Sequence, residues 1–327
     1  SSRMKLLLIT CLFVVGNWIA PVVSKDAALE TVSKHGKLSV DGVNLVNQNG
    51  ERVQLKGMSL FWSIWMPYYY NKTTVDAVKA NCHSNIVRPM LAIDTKDGGY
   101  LTDPDGQEAL IYAVIDAAIE DDIYVLIDWQ DFEAENHLEQ SLYFFDKLSK
   151  TYGSYPNIIY EPYNEPISLE WSSVVKPYHE AVIKTIRAND PDNLIVVGTP
   201  QWSQRLDLAA ADPITGFDNI MYSLHFYAGT HQQWERDITK AAIDGGLPAF
   251  VSEYGTVNAD ASPPVNVSET LLWYEFMEER GMSYVNFAVS DKDEGAAAMI
   301  PGTPPDKTCA EEYLTESGKI VVEHNKA

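Results

Sequence analysis

The chain has 327 residues, of which 46 are acidic and 24 basic, giving a formal net charge of −22. That acidic excess excludes nucleic acid and anionic membrane surfaces as partners, whereas a neutral polymer is not repelled by it. Hydrophobic residues make up 46% and 8 are Trp, enough for a sizeable core with aromatic surface to spare.

The first segment reads as targeting rather than fold. Arg3 and Lys5 precede an apolar run from Leu6 to Val15, and small residues follow near Ser24. This is the pattern of a secretory signal peptide over residues 1–24. The run is too short to span a bilayer comfortably, and no later segment is long enough. The mature chain, residues 25–327, is therefore expected to be soluble, secreted to the extracellular space and monomeric. Cys11 leaves with the leader. Cys82 and Cys309 remain and permit one disulfide in an oxidising compartment, although sequence alone leaves their pairing open. Asn71-Lys72-Thr73 and Asn266-Val267-Ser268 are N-glycosylation acceptors in a eukaryotic source. No Cys-x-x-Cys or His-x-x-x-His pattern argues for a metal, and no cofactor is expected.

Between Leu38 and Val53, short apolar runs flank the turn signals Asp41-Gly42 and Asn49-Gly50, which predicts a small hairpin region. Such a lid closes the bottom of something larger. Then an alternation begins. Candidate strands are Val53 to Met58, Asn85 to Arg88, Tyr124 to Asp128, Ile158 to Glu161, Leu194 to Gly198, Ile220 to His225, Ala249 to Glu253 and Ser283 to Ala288. The stretches between them carry helix signals, among them Thr73-Thr74 before Val75 and the segment Glu108 to Ala118. Eight strand–helix repeats predict an α/β fold, a closed (β/α)8 TIM barrel forming a single domain. No Gly-x-Gly-x-x-Gly follows an early strand, so a dinucleotide-binding open sheet gains no support.

In such a barrel the active site lies at the carboxyl ends of the strands. Arg88, Asp128, Asn164-Glu165, His225 and Glu253 each stand where an apolar run stops. Charge at the end of a buried strand is costly unless it is paired or solvated in a cleft, and five strand ends in register indicate a site. Glu165 and Glu253, after the fourth and seventh strands, face each other across the ring. Two opposed carboxyl groups suit glycoside hydrolysis, one protonating the leaving oxygen while the other attacks the anomeric carbon or activates water. The barrel alone leaves retention and inversion open. Asn164 can donate to the sugar hydroxyl beside the reacting carbon. Arg88 can hold Glu253 ionised, Tyr227 can donate to it, and His225 can orient the acid or touch substrate.

These segments resemble glycoside hydrolase family 5, in its cellulase-like branch. The resemblance spans nearly the whole mature chain. It is carried by Leu55-Lys56-Gly57-Met58-Ser59, Gly99-Tyr100-Leu101, Asp128-Trp129, Tyr160-Glu161 and Tyr163-Asn164-Glu165-Pro166. It continues through Gly198-Thr199-Pro200, Trp202-Ser203-Gln204 and His225-Phe226-Tyr227-Ala228-Gly229-Thr230-His231. Ser252-Glu253-Tyr254-Gly255, Ser290-Asp291-Lys292-Asp293-Glu294 and Pro301-Gly302 complete it. It implies a retaining endo-β-1,4-glucanase with Glu253 as nucleophile and Glu165 as acid, then base. The two carboxyl groups would then lie roughly 5 Å apart. It further implies that Lys292 and Glu294 bind sugar hydroxyls, that Trp202 lines the cleft, and that Trp62 or Trp65 stacks on a sugar.

The chain departs from that pattern where Gln130 and Phe132 stand at positions usually held by His, and where Phe287 stands in place of Trp. Phe keeps an apolar face but loses area and the indole donor. Gln keeps a hydrogen bond but carries no proton. Both changes sit around the reacting sugar and point to a shifted substrate or rate. Xyloglucan, xylan or mannan as substrate therefore remain alternatives, as does a carbohydrate-binding protein on a decayed scaffold.

Overall fold

The computed structural model describes residues 31–327, and the leader expected over residues 1–24 lies outside them. The expected hairpin is present as β1 (Ser39–Asp41) antiparallel to β2 (Asn44–Val46). Its turn signals act as read, since Gly42 and Gly50 both take positive φ, at 59° and 79°.

The eight expected strands form one closed parallel sheet. They are β3 (Lys56–Leu60), a second position shared by β4 (Ile86–Arg88) and β5 (Met90–Ala92), β6 (Tyr124–Gln130), β7 (Ile158–Glu161), β8 (Ile195–Val197), β9 (Ile220–Tyr227), β10 (Ala249–Gly255) and β11 (Tyr284–Val289). Pairing runs from β3 through β11 back to β6, and β4 and β5 both pair with β6, which closes the ring. The second strand is split at Pro89, which has no N–H to give the ladder. The first strand starts at Lys56 rather than Val53. A helix follows each strand position. The one at Lys72–Ala80 is capped by Asn71, whose side chain accepts from the Thr74 amide, so the helix begins ahead of the expected Thr73-Thr74 signal. Asn266 caps Val267–Arg280 in the same way. Both expected glycosylation acceptors are thus helix caps, and Asn71 also donates to the Tyr68 carbonyl.

Two apolar cores result. The larger fills the space between strands and helices. The smaller fills the barrel's lower interior with Ile86, Leu126, Ile159, Met221, Phe250 and Val285, and Leu38, Leu45 and Val53 from the hairpin region seal it from below. Cys82 and Cys309 are joined by a disulfide with Cα atoms 5.3 Å apart, which resolves the pairing the sequence leaves open. It ties the end of the first outer helix to the segment before the last one, Glu316–Lys326. Among the described residues, no helix is long and apolar enough to cross a membrane.

Candidate active site

Side chains alternate along a strand, so residues two apart share a face. Counting upward from the apolar floor, Ile86 leads to Arg88, Leu126 to Asp128 and Gln130, Ile159 to Glu161, and Met221 to Ser223, His225 and Tyr227. The interior therefore turns from apolar to polar within one step. On β10 strict alternation would put Ser252 inside and Glu253 outside. The ladder slips between Phe250 and Glu253 against β9, and between Val251 and Tyr254 against β11. This bulge lets both side chains reach the interior.

Arg88 organises the polar layer with no exposure of its own. Its Nε donates to Glu161 Oε2 at 2.6 Å, Nη1 to Glu253 Oε2 at 3.0 Å and Nη2 to Asn164 Oδ1 at 2.7 Å, with Asp128 Oδ2 3.3 Å from Nη2. Tyr227 donates to Glu253 Oε1 at 2.7 Å, so both oxygens of Glu253 are held. On the other side, His225 Nδ1 lies 2.8 Å from Glu165 Oε1 and its Nε2 3.0 Å from Ser252 Oγ. Ser252 is in turn 2.6 Å from Ser223.

Burial sets the proton positions. Burial raises the Glu165 carboxyl, and the charge of Glu253 adds to this against the opposing hydrogen bond from His225. Burial disfavours charge on His225, but Glu253, Glu161 and Glu165 outweigh it and push the imidazole up to about 9. Asp128 is held well above the usual carboxylate range by burial, despite Arg88 beside it. Burial works the same way on Glu161, yet Arg88 and His225 overcome it and lower that group.

One ligand atom each from Glu165, His225 and Glu253 lies within 4.8 Å of the others, a grouping that could hold a cation. These side chains already bond within the protein: His225 Nδ1 to Glu165 Oε1, and Glu253 to Arg88 and Tyr227.

Around this centre the structure gathers an aromatic run. Tyr227 and Phe287 have ring centroids 6.3 Å apart, Phe287 and Phe61 5.5 Å, Phe61 and Trp65 6.3 Å, Trp65 and Trp62 4.9 Å, and Trp62 and Phe132 5.9 Å. Trp65 is exposed, and its Nε1 donates to Asp97. Lys292 sits 5.4 Å over the Phe61 ring and pairs with Glu294 at 2.6 Å. The two residues expected to bind sugar hydroxyls therefore first bind each other, and Glu294 Oε1 is left buried without a partner. Gln130 is buried with its carbonyl oxygen unpartnered, and so is Asn164 Nδ2. Trp202 is exposed on a turn in which Gln201, Trp202 and Ser203 all have positive φ, a costly conformation for such residues. The turn is pinned by Ser203 Oγ to the Asn164 carbonyl at 2.8 Å and by the Trp202 amide to Pro166 O at 3.0 Å.

Sequence reasoning missed Glu161 as a member of the site, although it ends its run as Arg88 and Asp128 end theirs. It also missed Ser252, Ser223 and Phe61. Asp131 is a further support. It accepts from the amides of Phe132 and Glu133 and lies 2.7 Å from His137 Nδ1, which fixes the loop carrying Phe132.

Residues 46–293 match the family described as Cellulase (glycosyl hydrolase family 5). The chain belongs to glycosyl hydrolase family 5. Over 287 residues it is 45% identical to Endoglucanase Z of Dickeya dadantii, covering 87% of this chain and 65% of that one. It is 38% identical to an Endoglucanase of Clostridium saccharobutylicum, covering 90% and 66%. The chain thus spans just under two thirds of these curated relatives. A solved structure from Cytophaga hutchinsonii superposes with a TM-score of 0.88 at 45% identity, covering 90% of this chain and 96% of that one. The catalytic domain of Thermobifida fusca endoglucanase Cel5A superposes with a TM-score of 0.85 at 30% identity, covering 90% and 99%. The family 5 barrel is therefore shared along nearly all of the described chain.

Proposed function

We propose that the chain is a secreted, monomeric endo-β-1,4-glucanase that cleaves its polymer with retention of configuration. The observation carrying this reading is the opposition of Glu165 and Glu253, one carboxylate oxygen of each lying within 4.8 Å of the other. Retaining pairs stand about 5–5.5 Å apart, and inverting pairs are wider because a water must fit between them. Relatives named as endoglucanases at 45% and 38% identity support the substrate class.

In the first step Glu253, held at both oxygens by Arg88 and Tyr227, attacks the anomeric carbon. Glu165 gives its proton to the glycosidic oxygen as that bond breaks. In the second, Glu165 takes a proton from water, the water oxygen attacks the same carbon, and the bond to Glu253 breaks. Protonated His225 keeps the acid oriented. Asn164 Nδ2, which has no protein partner, is the donor for the neighbouring sugar hydroxyl. Phe287 and Gln130 shape the subsite around that sugar and tune preference among β-1,4-glycans. With both glutamates and all their partners in bonded positions, a binding-only role is disfavoured. The leader expected over residues 1–24 and a disulfide of the kind formed in oxidising compartments support export.

Proton NMR of the first-formed product tests the mechanism. A β-configured reducing end is expected from a soluble cello-oligosaccharide, and an α-configured one would overturn retention. No release of reducing sugar from any β-1,4-glycan would overturn the enzymatic reading.

A further inference from the structure

A second hollow with the make-up of a sugar site lies on the same face of the barrel as the cleft. The outer helices Pro104–Glu120 and Leu138–Tyr152 each follow a strand, so both begin at the level of the strands' carboxyl ends. Near their starts lies a cavity of about 380 Å³ lined by Tyr100, Leu101, Pro104, Glu139, Gln140 and Tyr143, a size suited to a small ligand. Its floor is fixed. The Tyr100 hydroxyl donates to Glu108 Oε1 at 3.2 Å, and its ring lies edge-on to Trp129 at 5.3 Å. Its wall is Tyr143, 65% exposed, more than any other large apolar side chain among the described residues. Glu139 and Gln140 precede Tyr143 by one helical turn, so a carboxylate and an amide stand on the same helix face as the ring.

One loop links the hollow to the aromatic run beside the cleft. The loop that supplies Leu101 also carries Asp97, which accepts from Trp65 Nε1 at 3.0 Å. It is closed on itself by the Thr95 and Gly98 backbone bonds at 3.0 Å. The same loop thus touches Trp65 through Asp97 and lines the hollow through Leu101.

We propose that this hollow is a second binding site for a β-linked glucan chain, outside the catalytic cleft, with Tyr143 as the stacking platform. For its ligand the proposal rests on the glucanase reading. A pyranose ring offers an apolar face that an aromatic side chain covers and hydroxyls that an amide and a carboxylate bond. A neutral polymer also suits a strongly acidic protein. Holding a second stretch of the same chain raises the local concentration of polymer at the cleft. A substrate too short to reach both places gains nothing.

The test is electrophoresis of wild type, Tyr143→Ala and Tyr143→Trp through native gels containing hydroxyethylcellulose, with hydrolysis of that polymer and of a short cello-oligosaccharide measured alongside. Tyr143→Ala should weaken retention in the gel and raise KM on the polymer by about three- to tenfold, with kcat/KM on the short substrate unchanged. Tyr143→Trp should restore both polymer readouts. Equal retention of Tyr143→Ala and wild type would overturn the site. An equal loss on polymer and short substrate would also do so, because Tyr143 would then merely support the fold. If wild type hydrolyses nothing yet is retained in a Tyr143-dependent way, the glucanase reading fails and the site stands.

Discussion

Two levels of the barrel interior, two residues apart on the same strands, are built on opposite rules. At the lower level Ile86, Leu126, Ile159, Met221, Phe250 and Val285 fill the ring with apolar volume. One step up, Arg88, Asp128, Glu161, Ser223 and Ser252 are equally buried and all polar. The lower level stabilises at roughly 25 cal/mol per Å² of apolar surface removed from water. The upper level costs desolvation energy, which only its ion pairs and hydrogen bonds offset. That offset is incomplete. Both oxygens of Asp128, the Asn164 amide nitrogen and the Gln130 carbonyl lack hydrogen-bond partners. The comparison teaches that the barrel's stability and its chemistry come from adjacent layers, and substitutions should separate them.

The largest effect should fall on the glutamates. Glu253→Gln is expected to lower kcat by more than about 10⁴-fold while thermal unfolding stays close to wild type. Glu165→Gln should lose about 10²–10⁴-fold on cellulosic substrate. It should lose far less on an aryl cellobioside, whose leaving group needs no proton. Retained cellulosic activity in Glu253→Gln would remove the upper layer's claimed role.

Arg88→Met strands several buried carboxylates and should cost about 3–5 kcal/mol of stability together with nearly all activity. Leu126→Ala, two residues below Asp128, should cost a comparable 2–5 kcal/mol or so by leaving a cavity, yet keep kcat/KM per folded molecule. Urea unfolding paired with active-site titration reads both quantities. Parallel loss of activity in the two variants would erase the distinction between the layers. The disulfide offers a control remote from both. Replacing Cys82 and Cys309 by Ser should destabilise by about 2–5 kcal/mol without changing the rate of the folded fraction.

The upper layer should also make stability depend on pH, and the lower should not. His225 holds its proton more tightly when folded. Its contribution is complete below its ordinary 6.5 and is lost as pH rises towards about 9, a change on the order of 3 kcal/mol. Asp128 acts in the same direction. Its contribution is complete below 3.8 and is lost as pH rises towards its raised value. Asp128→Asn should therefore gain stability relative to wild type as pH rises above about 4. A Tm difference between them that is flat with pH would show that Asp128 is already charged in the folded protein. The smallest effect concerns specificity. Phe287→Trp with Gln130→His should shift the ratio of rates on carboxymethylcellulose, xyloglucan, xylan and glucomannan by a few-fold, about 1 kcal/mol of stacking and hydrogen bonding. Unchanged ratios on all four would make these positions neutral.

Much of this molecule is legible in its sequence because the signals are local. Strand and helix periods are written in neighbouring residues, and polar residues at the ends of apolar runs mark the barrel mouth. By that rule Arg88, Asp128, His225 and Glu253 fall into place. Gly42 and Gly50 mark their turns because freedom to take positive φ is intrinsic to a residue without a Cβ. What the tertiary structure decided depends on groups far apart in the chain. Simple alternation would have turned either Ser252 or Glu253 outward, and only ladder slips against two neighbouring strands bring both inside. Glu161 becomes a partner of Arg88 only when strands separated by 73 residues close into one ring. The left-handed turn that presents Trp202 is held by Asn164 and Pro166 on another loop. Cys82 and Cys309, 227 residues apart, meet because the turn Pro305–Lys307 packs against the helix Lys72–Ala80. Proton positions likewise follow from burial and from charges on other strands. A linear sequence encodes periods and residue types, whereas the fields and bulges that tune a buried site arise when the ring closes.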